Sequence, residues 1–145
     1  MAKRKSSIFI SYVLRDKGDG DHIIESIQRR RPDVYVSSHF DLSIAEPWVD
    51  IVRERISECD LFIVLLTPNS VGSNNVLTEV GAAWGLDKPI VAVVTEEYMA
   101  DALPISLYYS SILRIEDLDK AETLDRLLQH YAGVHGPESL VESMS

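Results

Sequence analysis

The chain has 145 residues, 46% of them hydrophobic, which is enough for the core of one domain and too little length for two ordinary ones. Its 14 Lys and Arg against 23 Asp and Glu leave a net charge of -9 and a sequence pI near 4.8, a balance that repels a phosphate backbone and excludes generic nucleic-acid binding. No run approaches the roughly 18 uninterrupted apolar residues of a membrane span, the start "MAKRKSSIFIS" is unlike a signal peptide, and the single Cys59 allows neither an internal disulfide nor a zinc site, so a cytoplasmic protein without membrane contact is expected.

In chain order, residues 1–6 form a basic tail, and "SSIFIS" reads as a first strand that ends in the charged, glycine-containing loop "RDKGDGD". Ile23, Ile24 and Ile27 recur at helical spacing, with Asp21 as the expected N-cap and Pro32 as the stop. The run "RRR" at 29–31 closes this helix, where cations complement the macrodipole, so a solvated helix end is the plain reading. "VYV" is a short strand, and "SSHFDLSIAEP" has room to be a flexible loop. In "PWVDIVRERISE" Pro47 suits a first helical turn, and Trp48, Ile51, Val52, Arg55 and Ile56 trace one face.

"DLFIVLLT" is apolar on both faces, as a central parallel strand covered by helices must be, and Cys59 reads as a buried thiol at its entrance. "PNSVGSNN" is turn chemistry, Val76 to Leu86 is helical, and "KPIVAVV" is a second two-sided strand. After the long connection "YMADALPISLYYS", "ILRI" reads as an edge strand and "EDLDKAETLDRLLQHYA" as a final amphipathic helix; residues 133–145 read as a flexible tail or linker. Alternating strands and helices imply an α/β domain over 7–132, a flavodoxin-like five-stranded parallel sheet with helices on both faces. Ligands of such sheets lie outside the carboxyl ends of the strands, which brings Ser11 and Tyr12, the 37–47 loop and the segment from Pro68 to Glu79 to one rim.

Much chemistry is excluded by what is missing. There is no GxGxxG after the first strand, no GxxxxGK[ST], no GxSxG and no HExxH. A phosphoacceptor domain needs acids at the ends of its first and third strands, and here those strands end in "ISYV" and "LLTP". The acids of the last helix, including Glu116, Asp117 and Glu122, read as a solvated face and no metal site is expected. Glu79 stands out because it shares a helical stripe with Val76, Ala83 and Leu86. Taken alone, an acid near a helix start either complements the dipole, at about 0.3–1 kcal/mol, or serves a site at the rim.

Three stretches in order, "IFISY" at 8–12, "PWVDIVRERISECDLFIVLLTPNSVGS" at 47–73 and "SNNVLTEVGAAWGLDKPIVAVV" at 73–94, resemble those of a Toll/interleukin-1 receptor (TIR) domain over roughly Ser6 to Tyr131. In TIR domains that cleave NAD a serine stands six residues before the catalytic glutamate, the spacing of Ser73 and Glu79; the chain departs from many members in having Asn75 and Val76 where they have Trp-Cys. The resemblance implies the TIR fold and an NAD+ glycohydrolase or cyclase that releases nicotinamide, of the kind that bacterial members use in antiviral defence. NAD+ would be the substrate, with no further cofactor and no metal. It also implies activity that depends on TIR-to-TIR self-association and a sensor on a partner or on a further part of a longer chain. Glu79 would be catalytic, and Ser11, Tyr12, Phe40, Trp48 and Ser73 would bind substrate or support the loop over it. The chemistry agrees with one acid: nicotinamide departs from a cationic ring and needs little protonation, while a single carboxylate can hold the ribose hydroxyls and face the developing oxocarbenium charge.

Plainer readings stand beside these. Trp48 and Trp84 suit the core, Tyr12 and Phe40 admit both readings, His39 reads as a solvated loop histidine with a general-acid role as the lesser alternative, and Arg15 and Asp16 read as loop charges, with a phosphate contact from Arg15 as the lesser alternative. A non-catalytic TIR adaptor and, below it, a nucleoside deoxyribosyltransferase-like enzyme are the competing functions.

Overall fold

Five strands, β1 (Ser7–Ser11), β2 (Tyr35–Ser37), β3 (Leu61–Leu66), β4 (Ile90–Val94) and β5 (Ser111–Arg114), form one sheet in the order β2-β1-β3-β4-β5, every neighbouring pair parallel. This is the flavodoxin-like order expected from the sequence, and its switch point lies between β1 and β3. The computed structural model describes residues 6–41, 48–70, 72–95 and 111–131. The basic start, the connection at 96–110 and the segment after Tyr131 lie outside the described residues.

Strand alternation builds two cores. Ile8, Ile10 and Tyr12 face one side with Ile63 and Leu65, beneath α1 (Lys17–Arg30) and α4 (Ala121–Tyr131). Phe9 faces the other side with Phe62 and Val64, beneath α2 (Trp48–Glu58) and α3 (Asn74–Gly85). The Phe9 and Phe62 rings stack at 5.7 Å across the pair β1–β3, which adds about 0.5–1.5 kcal/mol to their burial. All six residues of β3 are buried, as a central parallel strand requires. Cys59 is buried at its entrance, as expected.

Several expectations need correction. The first helix starts at Lys17, not near Asp21, because Gly20 is a packing site and not a breaker: a Cβ there would meet the Tyr12 ring at 2.7 Å, so only glycine lets that ring lie against α1. The last helix starts at Ala121; Ile115–Asp119 forms a separate 3-10 turn in which Arg114 N donates to Asp117 Oδ2. Trp84 is 62% exposed and Leu86 49%, so neither belongs to the core. The buried stripe of α3 is Val76, Glu79, Val80 and Ala83, and Trp84 falls just off it. In the arginine run, Arg30 pairs with Asp125 of α4 and Arg31 with Asp33 at 2.8 Å, exposed pairs worth little each. Among the described residues no helix is long and apolar enough to cross a membrane.

Candidate active site

The alternation that sends Phe9 beneath α2 and α3 sends Ser11 to the same side at the carboxyl end of β1. There Ser11, fully buried, donates from Oγ to Glu79 Oε1 at 2.6 Å. Glu79 is carried by α3, whose start is fixed by Ser73: its Oγ accepts from Val76 N at 3.3 Å as an N-cap. On the other side, His39 Nδ1 lies 3.2 Å from Glu79 Oε2, a hydrogen bond when that nitrogen carries the proton. His39 belongs to a 3-10 turn, His39–Asp41, just after β2, and its ring packs on Phe40 with centroids 3.9 Å apart. Its side chain is only 11% exposed, so the expectation of a solvated loop histidine is corrected. The acid is thus 7% exposed and held from both oxygens.

Glu79 nevertheless opens on a cavity of about 310 Å³ between α2 and α3. One wall is the stripe Val49, Val52, Arg53 and Ile56 of α2, at i, i+3, i+4 and i+7. The other is Asn75, Thr78, Glu79 and Ala82 of α3 with the same spacing, and His39 closes one end. The walls are mainly apolar, with a few convergent polar groups, the usual make-up of a small-molecule site. A carboxylate offers about four acceptor positions; Ser11 and His39 occupy two, which leaves two for hydroxyls of a ligand.

A second buried acid lies near the same rim. Asp16 is 6% exposed and stands at the N-cap position of α1, yet its side chain does not cap the helix. It accepts from Thr67 Oγ1 at 2.5 Å and Asn69 Nδ2 at 2.8 Å and so ties the loop after β1 to the loop after β3. The latter loop is folded on itself, Thr67 N donating to Ser70 Oγ at 2.9 Å and Ser73 N to the Ser70 carbonyl at 2.9 Å. Asp16 was expected as a loop charge, and its burial is a correction with this plain cause.

Of the residues expected at the site, Ser11 and Glu79 are in direct contact. Tyr12 is buried on the opposite face of the sheet and packs on Phe40 at 4.9 Å, while Phe40 is half-buried against that same core; neither lines the cavity. Ser73 acts on the helix start and is not on the cavity wall. The side chain of Trp48 and the loop residues 42–47 lie outside the described residues. Most cavity residues besides Glu79, Arg53 among them, have no binding role in the sequence reading, where His39 is raised only as a general-acid alternative. Among the described residues no group of three or more His, Cys, Asp or Glu could hold a metal ion.

A family model described as TIR domain matches residues 8–128. No curated protein matches the chain. A metazoan TIR-STING receptor from C. gigas is similar in structure, with TM-score 0.64 and 21% identity, over 81% of this chain and 38% of the receptor, so the chain spans less than half of that protein. The TIR domain of a Toll-related receptor from Hydra magnipapillata is similar with TM-score 0.64 and 16% identity, over 83% of this chain and 93% of that one. A CMP N-glycosidase from Clostridium botulinum is similar with TM-score 0.54 and 16% identity, over 79% and 98% of the two chains.

Proposed function

We infer that this chain, which belongs to the TIR domain family, cleaves NAD+ at the bond between nicotinamide and ribose, with Glu79 as its catalytic residue. The observation that carries this reading is a buried acid, oriented by Ser11 and His39, that opens on a cavity. As the C1′–N bond breaks, its electron pair passes to the nicotinamide ring, which leaves neutral, and positive charge gathers on the ribose. Glu79 accepts from the ribose hydroxyls with its free positions and faces that charge. Water adds to C1′ and releases its proton to solvent, giving ADP-ribose; an internal nucleophile in place of water gives a cyclic isomer. A preorganised group of this kind is worth about 10²–10³ in rate where single donors have been removed from other enzymes.

The departure from Trp-Cys is compatible with this chemistry. Val76 is buried in the core beneath α3, and Asn75 is one polar residue of the cavity wall, so the departure leaves the supports of Glu79 in place. The fold also hosts related chemistry, since one similar structure is that of a CMP N-glycosidase. At 16% identity that likeness is one of fold, and the weight rests on Glu79. A role as an effector in bacterial antiviral defence, activation by TIR-to-TIR assembly and a sensor on a partner or on a further part of the chain belong to the same reading through the family.

The test is incubation of the concentrated protein with NAD+ and separation of the products. Nicotinamide together with ADP-ribose or its cyclic isomer is the expected outcome. NAD+ left intact, even when the protein is crowded into assemblies, would favour the adaptor function over the enzyme.

A further inference from the structure

The two walls of the cavity are matched. Arg53 is the sixth residue of α2 and Glu79 the sixth of α3, and both helices start at the carboxyl rim of the sheet, since each follows a parallel strand. The two side chains line the same cavity from facing stripes, one positive and one negative. Among the described residues Arg53 makes no hydrogen bond or ion pair, unlike Arg30, Arg31 and Arg114, each of which is engaged with a carboxylate. A guanidinium on a cavity wall of a protein with net charge -9 is placed to draw an anion into a molecule that otherwise repels one. Next to it Val49 is 59% exposed, an apolar side chain on the same wall that no part of the described core covers. Arg53 supplies a planar fork for phosphate oxygens, Val49, Val52 and Ile56 an apolar surface, and Glu79 acceptors for ribose hydroxyls.

We propose that this cavity selects a phosphorylated nucleotide over the corresponding nucleoside, and that Arg53 is the specificity residue that holds the phosphate across the cleft from Glu79. The proposal rests on the reading of Glu79 as the residue that faces the ribose, and it adds the element that recognises the other end of the sugar phosphate. The cavity of about 310 Å³ between the two walls is the space such a sugar phosphate would occupy.

Two experiments test it. The first is calorimetric titration of ADP-ribose into Glu79→Gln and into Glu79→Gln/Arg53→Ala, which needs no turnover. Loss of the charged hydrogen bonds should weaken binding about 10- to 100-fold, with Arg53→Lys between the two; equal affinities, or no binding to Glu79→Gln itself, would overturn the proposal. The second compares nicotinamide mononucleotide with nicotinamide riboside, which share the scissile bond and differ by the phosphate. The native protein should prefer the mononucleotide in kcat/KM, and Arg53→Ala should erase that preference by raising KM for the mononucleotide more than for the riboside. A preference that survives in Arg53→Ala, or an equal loss on both substrates, counts against a phosphate contact. Release of nicotinamide by Glu79→Gln at the native rate would instead sink the catalytic reading, and the calorimetric result for Arg53 would stand by itself.

Discussion

Asp16 and Glu79 are buried almost equally, at 6% and 7% exposure, near the same rim of the same sheet, and they do different work. Asp16 spends its oxygens on Thr67 and Asn69, so it joins two loops. Glu79 is steadied by Ser11 and His39 but keeps an open side toward a cavity of about 310 Å³. Burial alone does not separate the two acids. What separates them is that Glu79 combines fixed orientation with acceptor capacity left over on a surface that a ligand can reach, as the proposed role requires.

The contrast can be broken or sharpened by experiment. The largest effect on stability is expected from Asp16→Ala, which strands the Thr67 hydroxyl and the Asn69 amide; denaturant unfolding should show a loss of about 2–4 kcal/mol. A loss below about 0.5 kcal/mol would show that the two loops do not depend on the latch. Cys59 sharpens the comparison as a titratable group that is buried with no site around it. Burial pushes its thiol up from 9.0 to about 11, partly offset by the charge of Lys88. Because the folded value is the higher one, its contribution is fully present below pH 9 and is lost as pH rises toward 11. Native protein should therefore lose on the order of 2 kcal/mol more than Cys59→Ala across that window, read as the difference between two unfolding curves against pH. Parallel pH profiles would show that the thiol is not desolvated. The smallest effect is expected from Ser11→Ala, which removes one donor from Glu79: about tenfold in kcat for NAD+, with KM little changed and about 1 kcal/mol of stability. A change in KM alone would assign Ser11 to substrate binding and not to the orientation of Glu79.

Much of this was legible in the sequence because it rests on periodicity. Two-sided apolar strands gave the parallel sheet, the shared rim at the strand ends brought Ser11 near Glu79, and the stripe through Val76 and Ala83 carried Glu79 with it. What was not legible depends on close approach between distant segments. Gly20 looks like a loop residue until the Tyr12 ring is seen where its side chain would be. Asp16 sits in a charged stretch that resembles solvated loop, and only Thr67 and Asn69, some fifty positions away, reveal its burial. His39 lies outside any periodic pattern, and Trp84 misses the buried stripe of α3 by one residue, which periodicity places too coarsely to catch.

Nicotinamide release from NAD+ by the native protein and by Glu79→Gln, prepared and concentrated together with the melting temperature of each recorded alongside, tests most directly the proposal that Glu79 is buried at the rim for chemistry. The amide keeps the size of the side chain and an acceptor for Ser11, so the account predicts a fall in rate of at least about 100-fold with little change in melting temperature. Equal rates of release from the two proteins would contradict it and return Glu79 to the role that Asp16 already fills, an acid that holds the fold together.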